Sequence, residues 1–280
     1  MYAIKSKQRM APKEYDIWVE APLVASHARP GQFVVVRPHE AGERIPLTIA
    51  DFDSDKGLIR LIFQVVGKTT AFMASLNEGD HLMDVSGPLG TPSEIENHGT
   101  VMMVGGGVGI AALFPILRAL KQAGNRTITI LGGRTSDLVI MKDECAQWSD
   151  RLIVTTDDGS EGMKGLVTDA MRLVAQEERV DRCWAIGPSI MMKFCSLTAQ
   201  ELGIPIWVSL NPLMVDGTGM CGCCRVTVDQ KIRFACVDGP EFDGTKVNWD
   251  EFLNRLRQYR DEERISMERY QQEVGDLSWL

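Results

Sequence analysis

Residues Thr100 to Leu117 read TVMMVGGGVGIAALFPIL. The apolar run Val101 to Val104 suits a buried strand. Gly105, Gly106, Gly107 and Gly109 then make a turn, and Ile110, Leu113, Phe114 and Leu117 repeat at helical spacing. A bilayer span needs about 20 uninterrupted apolar residues, and these glycines with Pro115 interrupt this one. Strand, glycine turn and helix in succession open a parallel α/β unit, where glycines let a ligand's phosphates approach helix-terminal N–H groups. The turn is not G-x-G-x-x-G, because Ile110 stands where the last glycine belongs. Alone, it fits a tight packing turn as well.

Reading outward toward the C-terminus, β-rich and helical segments alternate. Strands are expected at Thr127–Leu131, Leu152–Thr155, Trp184–Ile186 and Ile206–Ser209, and helices at Ile110–Ala123, Leu138–Trp148, Gly165–Gln176 and Ser189–Leu202. That alternation predicts a doubly wound parallel sheet. Reading toward the N-terminus, the β-rich runs Glu14–Glu20, Gly31–Arg37, Ile45–Phe52 and Leu58–Val66 are separated by Gly, Pro and Asp. Short strands at that spacing predict a small antiparallel barrel. The fold class is therefore a β-barrel plus α/β, with 1–97 as barrel, 98–210 as α/β domain, 211–245 as a cysteine-bearing segment and 246–280 as a tail. In the tail, Phe252, Leu256 and Tyr259 form an apolar stripe. This stripe and the end Leu277–Leu280 (LSWL) are candidates either for docking a partner or for packing back on the chain.

Composition narrows the class. Lys and Arg number 30 against 38 Asp and Glu, a formal charge of −8, and no basic block is present, which argues against nucleic-acid binding. The N-terminus lacks a signal peptide's apolar core, so a cytoplasmic protein with no membrane contact is expected. Of seven cysteines, four are Cys221, Cys223, Cys224 and Cys236. Such crowding points to a metal or redox site and not to a disulfide framework. Cys145, Cys183 and Cys195 read as plain buried thiols.

Asp216-x4-Cys221-x2-Cys224 followed by Cys236 has the spacing of a plant-type two-iron cluster, C-x4-C-x2-C and a later Cys, with Asp in the first place. A carboxylate keeps the ligand charge but is a harder donor than a thiolate. Cys223 in place of Asp216 is the alternative ligand. Zinc is disfavoured: a ribbon needs two C-x2-C knuckles, and all four His lie far upstream. Other candidate contacts are Arg44-Ile-Pro46-Leu47-Thr48, Gly67-Lys68-Thr69-Thr70, Arg134 after Gly132-Gly133, Asp157-Asp158-Gly-Ser160, and Gly187-Pro188. The Gly67 turn is no NTPase phosphate loop, since Ile62 occupies the required glycine position.

Taken in order, these motifs resemble the ferredoxin–NADP reductase superfamily over roughly residues 1 to 245. Within it the chain is similar to dihydroorotate dehydrogenase electron-transfer subunits and, more closely, to the small subunit of the NADH-dependent reduced ferredoxin:NADP oxidoreductase and sulfide dehydrogenase group. The resemblance implies FAD on the barrel, held by positions matching Arg44, Pro46, Leu47, Thr48, Gln64, Gly67, Lys68, Thr69 and Thr70. It implies NAD(H) or NADP(H) at Gly106, Gly107, Val108, Gly109, Arg134, Asp157, Asp158, Gly187 and Pro188. A [2Fe-2S] cluster would lie on Asp216, Cys221, Cys224 and Cys236. Cys stands first in the dihydroorotate relatives, so Asp216 favours the bifurcating group. Ile186 stands where many members have Cys, and Ala112 where many have Pro. The implied activity is an NAD(P)H-dependent oxidoreductase, with no acid–base catalytic residue needed for hydride transfer. The chain would pass electrons between NAD(P)H, FAD and the cluster, and to or from a larger flavin/[4Fe-4S] subunit, with ferredoxin reached through that complex. Alternatives are a stand-alone reductase for a soluble acceptor and a dihydroorotate dehydrogenase subunit.

Overall fold

The computed structural model describes residues 1–275. The N-terminal part holds β1 (Tyr2–Ala11), β2 (Glu14–Glu20), α1 (Pro22–Ala25), β3 (Phe33–Arg37), β4 (Ile45–Asp53), β5 (Leu58–Gln64), α2 (Lys68–Ser75), β6 (His81–Leu82) and β7 (Asp84–Leu89). Its seven strands pair antiparallel in the order β6-β1-β2-β5-β4-β3-β7 and curl into a nearly closed barrel. Alternation sets what faces where. Tyr15, Ile17 and Val19 of β2 fill the barrel with Ile59, Leu61 and Phe63 of β5. Glu14 and Asp16 point to the other face, opposite Gln64 and Ile62 in the strand register.

The second part runs β8 (Thr100–Gly106), α3 (Gly109–Gln122), β9 (Arg126–Gly133), α4 (Lys142–Gln147), β10 (Arg151–Thr156), β11 (Met163–Lys164), α5 (Val167–Glu177), β12 (Arg182–Ile186), α6 (Ser189–Leu202) and β13 (Ile206–Ser209). These strands are parallel, in the order β11-β10-β9-β8-β12-β13. From β8 the chain moves to one side through β9 and β10, then returns to the other side at β12. Ligands of open α/β sheets bind at such a reversal, outside the carboxyl ends of the strands.

The third part holds β14 (Arg225–Val228), β15 (Lys231–Phe234), β16 (Glu241–Asp243), α7 (Trp249–Arg255) and α8 (Arg260–Val274). β16 extends the α/β sheet, antiparallel to β13. The tail forms two helices, α7 and α8. Phe252 is 2% exposed and packs edge-on against Trp249, and Leu256 lies against the same core. Only Tyr259 of the expected stripe is exposed. Tyr270 of α8 is seated in the barrel core. Phe252 and Leu256 thus pack back on the chain, while Leu277–Leu280 lies outside the described residues. The helix expected at Leu138–Trp148 is also shorter. Val139, Ile140 and Met141 enter the core beside α3 as an irregular segment, with Met141 in a left-handed conformation, and only α4 is α-helical, Leu138 ending a short 3-10 turn. Among the described residues no helix is long and apolar enough to cross a membrane.

The barrel and the α/β domain share a core in which Ala11, Ala50 and Ile62 meet Ile110, Phe114 and Leu117 of α3. Two ion-pair sites bridge the same seam. Arg118 of α3 grips Asp51 of β4 at 2.6 and 3.0 Å. Arg60 of β5 sits between buried Asp16 at 2.9 Å and Glu144 of α4 at 2.6 Å. Removing one member of a buried pair strands the other charge, at a cost of about 3–5 kcal/mol. Arg60→Met should therefore lower stability by that order in urea unfolding. Adding Asp16→Asn to it should restore part of the loss.

Candidate functional site

The barrel's outer face and the carboxyl ends of the parallel strands enclose a cleft of about 1090 Å³. One wall carries Pro46, Leu47 and Thr48 of β4, Gln64 of β5 and Thr70 of α2. The other carries Gly106, Gly107, Val108, Gly109, Arg134, Asp157, Gly187 and Pro188. Motifs scattered over more than half the chain therefore face one cavity.

The loop after β8 is shaped by close approach. A Cβ at Gly109 would lie 2.5 Å from the Gly187 Cα and 2.6 Å from the Ile186 carbonyl oxygen, so the loops after β8 and β12 touch backbone to backbone. Gly107 is in the left-handed region, at φ +52°, and a Cβ there would meet nothing within 4 Å. Its amide donates to the Gly132 carbonyl at 3.2 Å, tying the loop to the end of β9. A tight loop opening a helix beside free space suits a phosphate-bearing ligand.

Other expected residues stand outside the cleft lining. Arg44 is exposed just ahead of β4, and Gly67, Lys68, Thr69 and Asp158 do not line the cavity. The Thr69 hydroxyl donates to Glu43 Oε2 at 2.7 Å. The Thr70 Oγ1 accepts from the Val66 and Gly67 amides at 3.0 and 3.1 Å, which caps the start of α2. The Asp158 carboxylate accepts from the Ser160 hydroxyl and amide at 2.7 and 2.9 Å, which holds it below its ordinary range and gives it a turn-forming role.

The cysteine segment abuts the cleft, whose lining includes Asn211 and Met214. Asp216 folds its own loop: Oδ1 accepts from the Thr218 amide at 2.9 Å and Oδ2 from the Cys221 amide at 2.8 Å. These bonds hold its carboxyl below the usual value. A Cβ at Gly219, φ +83°, would lie 2.7 Å from Val237 Cγ2, so the loop winds closely around the segment that carries Cys236. The hairpin of β14 and β15 sets Cys224 Sγ 3.1 Å from Cys236 Sγ, both buried. Cys221 is exposed, and Cys223, two residues on, is half-buried.

Among the described residues no three of His, Cys, Asp and Glu converge on one point. A two-iron cluster divides its four ligands between its irons, and soft thiolates suit it. The loop offers such pairs: Cys224 with Cys236, and Cys221 beside Asp216 and Cys223. The donor set fits, with Asp216 or Cys223 as the fourth ligand. Cys145, Cys183 and Cys195 lie in the cores, where burial pushes their thiols up, to about 12 for Cys145 and Cys195.

Residues 211–248 match the iron-sulfur cluster binding domain of dihydroorotate dehydrogenase B, and 103–196 match the oxidoreductase NAD-binding domain. A Thermotoga maritima protein, the dihydroorotate dehydrogenase B (NAD(+)) electron transfer subunit homolog, is 60% identical over 98% of this chain and 96% of its own length. The electron transfer subunit of Streptococcus pneumoniae is 34% identical over 87% of this chain and 96% of its own. The chain belongs to the dihydroorotate dehydrogenase B electron transfer subunit family. A chain from the structure of the NADH-dependent reduced ferredoxin-NADP oxidoreductase, described for flavin-based electron bifurcation, superposes with a TM-score of 0.92 at 60% identity, covering 96% of this chain and 98% of that one. A Neisseria gonorrhoeae ferredoxin NADP+ reductase shares the fold alone, with a TM-score of 0.58 and 17% identity over 72% of this chain and 90% of that one.

Sequence reasoning passed over one charged residue of this electron transfer subunit's cleft. Glu14 of β2 lines it, 1% exposed. Its Oε1 accepts from Gln64 Nε2 at 3.3 Å, and its Oε2 has no hydrogen-bond partner. β2 carries three acids, Glu14, Asp16 and Glu20, so local sequence does not single out Glu14, and only the register with β5 shows that it is covered. Burial pushes the carboxyl up to about 7. An unfolded Glu ionises near its ordinary value, so between that value and about 7 the folded chain holds the extra proton. Stability from this group is full below the ordinary value and falls as pH rises through about 7, by about 3 kcal/mol in all. Unfolding free energies of the flavin-free chain should show that fall between pH 4.5 and about 7, and Glu14→Gln should remove it.

Proposed function

We propose that this subunit carries electrons between NADH and a larger flavin and iron–sulfur subunit, in a complex of the bifurcating ferredoxin:NADP oxidoreductase type. The observation that carries this reading is the single cleft, shared by the flavin-strand motif and the glycine loop, with the cysteine segment at its edge. When bound, FAD exchanges an electron pair with a nicotinamide and single electrons with a two-iron cluster. On this reading Pro46, Leu47, Thr48 and Gln64 seat the flavin ring, and the capped turn Gly67–Thr70 serves its pyrophosphate, with Arg44 as a charge partner. Gly106 to Gly109, with Gly187 and Pro188, admit the nicotinamide nucleotide, and Arg134, Asp157 and Asp158 flank its far end. Asp216, Cys221, Cys224 and Cys236 hold the cluster.

The 60% identity to the bifurcating oxidoreductase chain, against 34% to the Streptococcus pneumoniae dihydroorotate subunit, favours that type of complex. Around the cysteine loop, Met220 is 89% exposed, and Leu213, Val215, Ile232 and Val237 are also exposed. An apolar rim of this kind at an electron exit suits a protein partner. We assign that partner as a subunit bearing flavin and [4Fe-4S] centres, with ferredoxin reached through it. Seven free cysteines suit the cytoplasm. Cofactor analysis of anaerobically purified protein, alone and with whatever copurifies, tests the reading. FAD, iron and sulfide should all be present, and a colourless chain after reconstitution would contradict it.

A further inference from the structure

A buried carboxyl oxygen with no partner is costly, and native proteins almost always satisfy such atoms. Glu14 Oε2 is the one buried side-chain N or O atom among the described residues that has none, and it belongs to a residue lining the cleft. On the barrel side the same cavity is lined by apolar Phe33, Ile45, Leu47 and Ile62, with Thr48, Gln64 and Thr70 as its other polar groups. Glu14 and Gln64 are paired directly across the β2–β5 ladder, so both side chains leave the sheet on one face. The other carboxyl oxygen is already fixed by the Gln64 amide, which orients the free one. An apolar slot with two convergent polar groups suits a flat ring that has hydrogen-bonding atoms along one edge.

We infer that Glu14 and Gln64 form the hydrogen-bonding site for the polar edge of the flavin ring, with Glu14 Oε2 as the contact atom. The inference rests on the flavin reading above and adds a contact to it. The elevated carboxyl of Glu14 keeps a proton available at neutral pH, so the group can donate to a ring carbonyl as well as accept from a ring N–H. Apoprotein stability is lowered by an atom that only the ligand completes, which is a familiar arrangement at binding sites.

The test compares the full-length wild type, Glu14→Gln and Glu14→Leu in two measurements: FAD dissociation followed by flavin fluorescence, and thermal unfolding of the flavin-free chain. Glu14→Leu should weaken FAD binding roughly 10- to 100-fold while leaving the unfolding temperature unchanged or raised. Glu14→Gln, which keeps a polar group there, should stay within about threefold of wild type. Equal FAD affinity in Glu14→Leu and wild type overturns the inference. So does a loss of affinity that both variants share together with a lowered unfolding temperature, which marks a structural role. A wild-type chain that binds no FAD overturns the flavin reading itself, so the two failures are distinguishable.

Discussion

Cys236→Ser should strip the iron from the protein while leaving FAD and NADH binding in place. Cys236 and Cys224 are held 3.1 Å apart by a short hairpin, buried in the core that the cysteine segment shares with the α/β domain. A serine hydroxyl is a harder and far less acidic donor than a thiolate, and nothing nearby on the hairpin replaces it. Losing an outer-shell partner already lowers metal affinity 10- to 100-fold, so losing a ligand should exceed about 100-fold. Iron analysis and the visible spectrum read the effect. NADH oxidation by a two-electron acceptor should persist, and transfer to a one-electron acceptor should be lost. Asp216→Ala and Cys223→Ser, taken through the same measurements, assign the fourth ligand: the variant that loses iron names it.

Gly109→Ala should abolish tight nicotinamide binding with FAD and iron content unchanged. The added methyl would press on the Gly187 Cα and the Ile186 carbonyl, both backbone, so no side chain can swing away. The loops after β8 and β12 must separate, at the point where the strand order reverses. Overpacking of this kind costs about 1–3 kcal/mol. Falling on the binding loop, it converts to a roughly 10- to 100-fold weaker NADH dissociation constant. Isothermal titration with NADH measures it.

The α/β half was legible because its strands are buried on both faces and its glycine turns punctuate them. The bounds expected for Ser189–Leu202 and Ile206–Ser209 coincide with α6 and β13. β1 was not legible: Lys5, Ser6, Lys7, Gln8 and Arg9 make Tyr2–Ala11 read as polar, yet it pairs with β2 and β6 to complete the barrel. The tail stayed open between two readings because an apolar stripe has the same spacing whether it faces a partner or its own core. Glu14 escaped because its meaning depends on Gln64, far along the chain, and Arg60 because Glu144 lies in another domain. Local pattern shows which elements form, but long-range register decides which polar groups they bury.

The relay itself is tested most directly by anaerobic titration of the purified protein with NADH, followed together by visible absorption and electron paramagnetic resonance. NADH should bleach the flavin bands and, within the same titration, bring up the signal of a singly reduced two-iron cluster. Bleaching of the flavin with the cluster silent at every NADH concentration would contradict it.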